Sequence, residues 1–133
     1  MGETRVAIVT GGTRGIGKAI SIALKNAGHK VAANYGGNDE AAKAFTAETG
    51  IPSYKWDVGD FKACQEGIAQ VVKEVGPVEI VVNNAGITRD GTMHKMSYEQ
   101  WREVIDTNLG ACFNMCRAVI DSMRQRGFTP WET

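Results

Sequence analysis

Compact apolar runs alternate with longer amphipathic stretches along the whole chain. Residues 6–10, 30–35, 53–57 and 79–83 read as strands, each a short run bounded by turn residues. Residues 15–27, 39–49, 61–74 and 98–126 carry apolar positions at helical spacing. Gly28, Gly50 and Gly76 stand where three of these helices should stop, and Pro52 and Pro77 follow two of them closely. No internal repeat or low-complexity linker interrupts the alternation. Mostly apolar strands alternating with helices imply a parallel sheet covered by helices on both faces, an α/β architecture.

The last helix is unusual in length and in surface. Ser97-Tyr98-Glu99-Gln100 has the form of a capping box, with Ser97 as N-cap and Gln100 reaching back to it. Trp101, Val104, Ile105, Leu109, Cys112, Cys116, Val119, Ile120 and Met123 follow as one wide apolar stripe, with Phe113 and Met115 beside it. A helix over 98–126 would be about 43 Å long. That is more than four strands can cover, so part of the stripe is expected to meet another subunit or further structure, which makes a homo-oligomer the expected state. Gly127 and Pro130 are expected to end the helix.

With 133 residues the chain has room for one domain, taken as 1–133. Acidic and basic residues both number 15, so no net charge favours nucleic acid or a membrane surface. No apolar run approaches the roughly 20 residues needed to span a bilayer. Met1-Gly2-Glu3-Thr4-Arg5 runs straight into the first strand, which argues against a signal peptide or an N-myristoyl anchor. Cys64, Cys112 and Cys116 form no disulfide framework, and the expected compartment is the reducing cytoplasm. Cys112 and Cys116 lie one helical turn apart, but without a histidine or third cysteine nearby they read as packing residues, and no metal site is expected.

The candidate chemistry begins between the first strand and the first helix. Thr10-Gly11-Gly12-Thr13-Arg14-Gly15-Ile16-Gly17 is a Gly-rich strand-to-helix turn, where backbone can approach a phosphate closely and a helix N-terminus offers unpaired N–H groups to it. The spacing is not G-x-G-x-x-G. The pattern T-G-x-x-x-G-x-G resembles the short-chain dehydrogenase/reductase family instead. Asp57-Val58 after the third strand, Asn83-Asn84-Ala85-Gly86 after the fourth, and Asn108 within Asp106-Thr107-Asn108-Leu109 extend that resemblance over residues 4 to 128.

The resemblance implies a three-layer Rossmann-type sheet, here partial, with about four strands in the order 3-2-1-4 and a long C-terminal helix. It implies cofactor contacts from Thr10, Gly11, Thr13, Arg14, Gly15, Ile16 and Gly17. Asp57 and Val58 would flank an adenine, and Asn84, Ala85 and Gly86 would line the ribose and nicotinamide side. Thr10 and Asn83 can also tie neighbouring strand ends together beneath the cofactor, and for Asn83 both roles stay open. An NAD-selective site places an acid at the end of the second strand. Here that strand ends Ala33-Asn34-Tyr35-Gly36, and Asp39 and Glu40 fall later, where they suit the start of the next helix. NADP(H) is therefore the expected cofactor, with Arg14 reading the 2′-phosphate and Asn34 and Tyr35 as neighbours; the alternative is a solvated Arg14.

Within that family, the run 83–90, His94-Lys95-Met96, Trp101 and 104–109 resemble the acetoacetyl-CoA reductase branch, close to the β-ketoacyl-carrier-protein reductases. The implied reaction is reduction of a 3-oxoacyl thioester to the (R)-3-hydroxyacyl thioester, with an acyl-CoA thioester as substrate in polyhydroxyalkanoate synthesis. Arg89 and His94 are placed on a loop that can face substrate, with His94 not expected as the general acid, and His29 reads as a surface residue. Of the catalytic tetrad only Asn108 is present. Four residues after Tyr35, Tyr54 and Tyr98 come Asp39, Val58 and Arg102, so no Tyr-x-x-x-Lys occurs. An asparagine alone supplies no proton-transfer group near neutrality. After Phe128 the run Thr129-Pro130-Trp131-Glu132-Thr133 departs from the family, and Pro130 is poorly suited to a central strand. The chain is thus expected to be the truncated, N-terminal cofactor-binding portion of a reductase, inactive alone. The alternative is a non-catalytic NADP(H)-binding or oligomerising fragment.

Overall fold

A computed structural model of the chain describes residues 3–87 and 89–127. The elements run β1 (Val6–Val9), α1 (Gly15–Asn26), β2 (Lys30–Tyr35), α2 (Asp39–Thr49), β3 (Ser53–Lys55), α3 (Phe61–Glu74), β4 (Val78–Val82), a 3₁₀ turn (Met93–Lys95) and α4 (Tyr98–Gly127). All strand pairs are parallel, in the order β3-β2-β1-β4. The Rossmann-type order expected from the resemblance is thus the order observed. The expectations about Met1 and Gly2, and about the segment from Phe128 to Thr133 with Pro130, lie outside the described residues.

The local reasons are those written in the chain. Gly50 ends α2 in the left-handed region at φ 74°, where a Cβ would be strained, and its N–H closes the helix on Thr46. Asn38 caps α2 and Asp60 caps α3 through their side chains. At α4 the Gln100 N–H donates to Ser97 Oγ at 3.1 Å and the Ser97 N–H donates to Gln100 Oε1 at 2.9 Å, a complete capping box.

β1 lies between β2 and β4, and all four of its residues are buried. Its Val6 and Ile8 pack with Cys64, Ile68 and Val71 of α3 and with Ala111, Met115 and Val119 of α4. On the opposite face Val9, Val31 and Ala33 pack with Phe45 of α2 and with Ile20 and Leu24 of α1. These are the three expected layers. Gly67 of α3 is required by its neighbour: a Cβ there would stand 2.4 Å from the Trp56 ring.

The apolar stripe of α4 needs correcting. The residues it turns inward are Ala111, Asn114, Met115 and Val119, with Met115 wholly buried. Leu109, which the stripe includes, is 67% exposed, and Cys116 is exposed as well. The helix carries apolar residues over more than one face, and the sheet and α3 choose the face with small Ala111 and flexible Met115, which lets α4 approach closely. Asn114 is polar on that inner face because its amide donates to the Val58 carbonyl at 2.9 Å, holding the β3–α3 connection against α4.

Candidate dinucleotide site

The carboxyl ends of β1, β2 and β4 meet in a cleft of about 320 Å³, the place where ligands bind in open parallel sheets. Gly11, Thr13, Arg14 and Gly15 form one wall, Tyr35 and the following Gly36, Gly37 and Asn38 form a second, and Asn84, Ala85 and Gly86 close the third. A larger hollow of about 880 Å³ flanks the far end of α4 beside Asp121, Arg124 and Gly127, away from any of these groups.

The turn itself is held by close backbone approach. Gly11 and Gly15 have φ of 59° and 52°, conformations that glycine adopts without strain. A Cβ on Gly17 would lie 1.9 Å from the Gly11 carbonyl oxygen, so the first turn of α1 can pack on the loop only with glycine there. A Cβ on Gly15 would meet nothing within 4 Å, because it would point into open space. Ser21, one turn further along α1, is fully buried and donates to the Gly12 carbonyl at 3.0 Å. Sequence reasoning does not single out Gly12 and Ser21; a lone serine on the buried side of α1 is the available signal.

Beneath the cleft, Thr10 organises the strand ends. Its hydroxyl accepts from the Asn84 and Ala85 N–H groups, both at 3.0 Å, and donates to the Val82 carbonyl at 3.3 Å. The Asn84 amide donates to the carbonyls of Thr10 and Gly11 at 3.1 and 3.2 Å. Asn84, not Asn83, therefore ties β4 to β1. Side chains alternate at a strand end, and Asn83 turns the other way, exposed, with its amide 3.6 Å from Cys116 Sγ.

Two other expectations change. Asn34 is 2% exposed: its oxygen accepts from Gly11 N–H at 3.4 Å, and its amide donates to the Trp56 carbonyl at 3.1 Å. Both ends of the side chain are spent on the fold, so Asn34 is a tie across three strands and not a reader of ligand. Val58 packs in the core with its carbonyl bound by Asn114, which leaves only its backbone N–H side for a ligand. Asp57 is exposed, its carboxylate accepting from Gly59 N–H at 2.8 Å.

Electrostatically the mouth is positive. Arg14 occupies the N-cap of α1 with no side-chain cap bond, and no acidic residue sits in the first helical turn, so the helix N-terminus faces the cleft undressed. Among the described residues the Arg14 guanidinium has no carboxylate partner, whereas Lys18 pairs with Glu48 at 2.8 Å. Ile16 stands 75% exposed beside this turn.

On the far side of the cleft, Asn108 clamps the loop after β4. Its oxygen accepts from Ile87 N–H at 2.8 Å and its amide donates to the Ile87 carbonyl at 2.9 Å. Arg89 grips Glu103 through two nitrogens, at 3.1 and 2.7 Å, and His94 lies exposed in the 3₁₀ turn. Burial, with the Asp39 carboxylate adding to it, raises the Tyr35 phenol, and burial with Glu74 nearby lifts Tyr54 to about 12. Burial also pushes the Cys64 thiol up to about 11, which makes it an inert core residue. Among the described residues no group of three or more His, Cys, Asp or Glu side chains is arranged to hold a metal ion.

Residues 5–128 match the family described as short chain dehydrogenase. The chain belongs to the short chain dehydrogenase family. Among relatives of this family, an acetoacetyl-CoA reductase from Rhizobium meliloti is 64% identical over 125 residues, covering 94% of this chain and 52% of the relative. An acetoacetyl-CoA reductase from Paracoccus denitrificans is 62% identical over 124 residues, covering 93% of this chain and 51% of the relative. A solved structure of a mutant short-chain dehydrogenase/reductase from Serratia marcescens superposes with a TM-score of 0.84 at 29% identity, over 90% of this chain and 51% of that one. The chain spans about half the length of the short chain dehydrogenases it matches. No helix among the described residues is long and apolar enough to cross a membrane.

Proposed function

We propose that this chain is the NADP(H)-binding portion of a 3-oxoacyl thioester reductase, with acetoacetyl-CoA as the substrate of the whole protein, and that the 133-residue polypeptide alone transfers no hydride. The observation that carries the cofactor reading is the undressed N-terminus of α1 facing an open cleft beside Arg14, which has no carboxylate partner among the described residues. A dinucleotide fits what is there. The open space at Gly15 admits a pyrophosphate against the backbone, and the N–H groups of the first turn of α1 point toward it. Arg14 supplies a planar cation for a ribose 2′-phosphate, while β2 itself ends in Asn34 and Tyr35, neither of them an acid.

When bound, the reduced cofactor supplies hydride. The chain's own residues position and shape: Thr10 and Asn84 hold the floor, Ala85 and Gly86 leave room at the nicotinamide side, and Asn108 fixes the adjoining loop through Ile87. None of them delivers the proton that carbonyl reduction needs, and the raised phenols of Tyr35 and Tyr54 make poorer acids than free tyrosine. The substrate class comes from the relatives' names and rests on their identity to this chain. Cytoplasmic residence and a role in polyhydroxyalkanoate synthesis belong to the same reading.

Fluorescence titration with NADPH and NADH tests binding, and NADPH oxidation with acetoacetyl-CoA tests turnover. The expected result is preferential NADPH binding, lost in Arg14→Ala, with no oxidation above background. Equal affinity for the two cofactors, unchanged in Arg14→Ala, overturns the cofactor reading, and measurable turnover overturns the inactivity of the chain. A second reading, an oligomerising fragment, is favoured by the outward apolar residues of α4, among them Trp101, Leu109, Phe113 and Ile120.

A further inference from the structure

The second wall of the cleft carries a charge arrangement that the dinucleotide reading does not by itself require. Tyr35 lines the cleft, and its hydroxyl donates to Asp39 Oδ1 at 3.1 Å, so a carboxylate stands directly behind this wall. An acid near the end of β2 is the group that favours a ribose 2′-hydroxyl and repels a 2′-phosphate. Here it is answered by a cation from the neighbouring strand. The β2–β3 register pairs Tyr35 with Lys55, and Lys55 Nζ reaches both carboxylate oxygens of Asp39, at 3.2 Å from Oδ1 and 3.3 Å from Oδ2.

We infer that Lys55 is a positioning residue for cofactor selection, which masks the Asp39 carboxylate so that a 2′-phosphate can sit between Arg14 and Tyr35. This deepens the NADP(H) reading and rests on it. Lys55 and Tyr35 together hold the Asp39 carboxyl below the usual carboxylate range, so the acid is charged at neutral pH. The ion pair is about half exposed on both sides, and such pairs add little to folding stability. Its removal therefore leaves a folded chain with a bare negative charge beside the cleft. Stabilising the start of α2 does not call for Lys55, since Asn38 caps that helix and Asp39 and Glu40 already complement its dipole.

The test compares binding of NADPH with NADH, and of 2′,5′-ADP with 5′-AMP, in the full chain and in Lys55→Gln, Lys55→Arg, Asp39→Asn with Lys55→Gln, and Arg14→Ala. Lys55→Gln should lower the ratio of 2′-phosphorylated to unphosphorylated affinity by about three- to tenfold. Lys55→Arg should keep the ratio, and Asp39→Asn should restore it in the Lys55→Gln background, which a merely structural lysine would not allow. A preference that depends on Arg14 but is unmoved by Lys55→Gln overturns this inference and leaves the NADP(H) reading standing. A chain without preference for the 2′-phosphorylated ligands, or with a preference independent of Arg14, overturns the reading and this inference with it.

Discussion

The two flanks of β1 are built to different standards. Toward the Gly-rich turn, the backbone and side chains at the ends of β1, β2 and β4 are joined through side-chain hydrogen bonds of Thr10, Asn34 and Asn84. Toward α4, β4 pairs on one side only among the described residues, and its last three residues are half-buried where those of β1 are wholly buried. α4 likewise seats one face on α3 and the sheet while Leu109 and Phe113 stay 67% and 64% exposed. A parallel strand is stable when both faces and both edges are covered. β1 and β2 have a paired strand on each side, whereas β4 and the outer face of α4 are covered on one side only among the described residues.

The sharpest way to break the finished end is Gly17→Ala. One methyl would enter the space of the Gly11 carbonyl oxygen, and backbone cannot yield as a side-chain tip does. Loss of more than about 4 kcal/mol, or of soluble folded protein, is expected, read from the urea unfolding midpoint. Gly15→Ala is the control: nothing crowds its Cβ, and only the strain of its positive φ, roughly 1–2 kcal/mol, should appear. On the other flank the inner face of α4 should be nearly as sensitive. Met115→Ala removes a side chain with no exposure from the α3–α4 core and should cost about 3 kcal/mol.

These substitutions also mark what the sequence discloses. Element positions are legible because buried parallel strands are continuous apolar runs and because Gly28, Gly50 and Gly76 punctuate the helices. The Gly-rich turn is legible because glycine spacing there is set by backbone contact, as at Gly17. The working face of α4 is not, since Met115 and Leu109 are equally apolar and only the packed partner distinguishes them. Asn83 and Asn84 are likewise identical in composition and differ only in which side of the strand they leave. Asn34 looks available for ligand because its two bonding partners, Gly11 and Trp56, come from elsewhere in the chain. The Lys55–Asp39 pair depends on strand register, which the local pattern around either residue does not contain.

Thr10→Val probes the finished end without changing its shape. It leaves the Ala85 N–H without its acceptor and the Asn84 N–H with the Val82 carbonyl alone, and a stability loss of about 2 kcal/mol is expected, with weakened NADPH binding. A neutral result would mean that the Asn84 amide and the backbone ladder suffice to hold β4 to β1 without the Thr10 hydroxyl. A pH series reads the α3–α4 core instead. The Cys64 thiol is raised from 9.0 to about 11 in the folded chain, so the unfolded chain gives up its proton first. Its contribution is complete below pH 9.0 and declines as pH rises toward about 11, and Cys64→Ala should flatten that part of the stability curve.

The smallest effect on stability should come from the outer face of α4. Leu109→Ser together with Phe113→Ser touches residues that are 67% and 64% exposed, and each change should move the unfolding free energy by no more than about 0.5 kcal/mol. Phe113 does stack on Phe61 at a 6.2 Å centroid distance, so its share is the larger of the two. If this face associates with a second copy, sedimentation velocity of the unchanged chain should show a concentration-dependent dimer that the double variant lacks. A monomer at every concentration in both proteins defeats the oligomer expectation. A dimer that survives the double variant moves the contact to the edge of β4, where backbone groups and not side chains would join the copies.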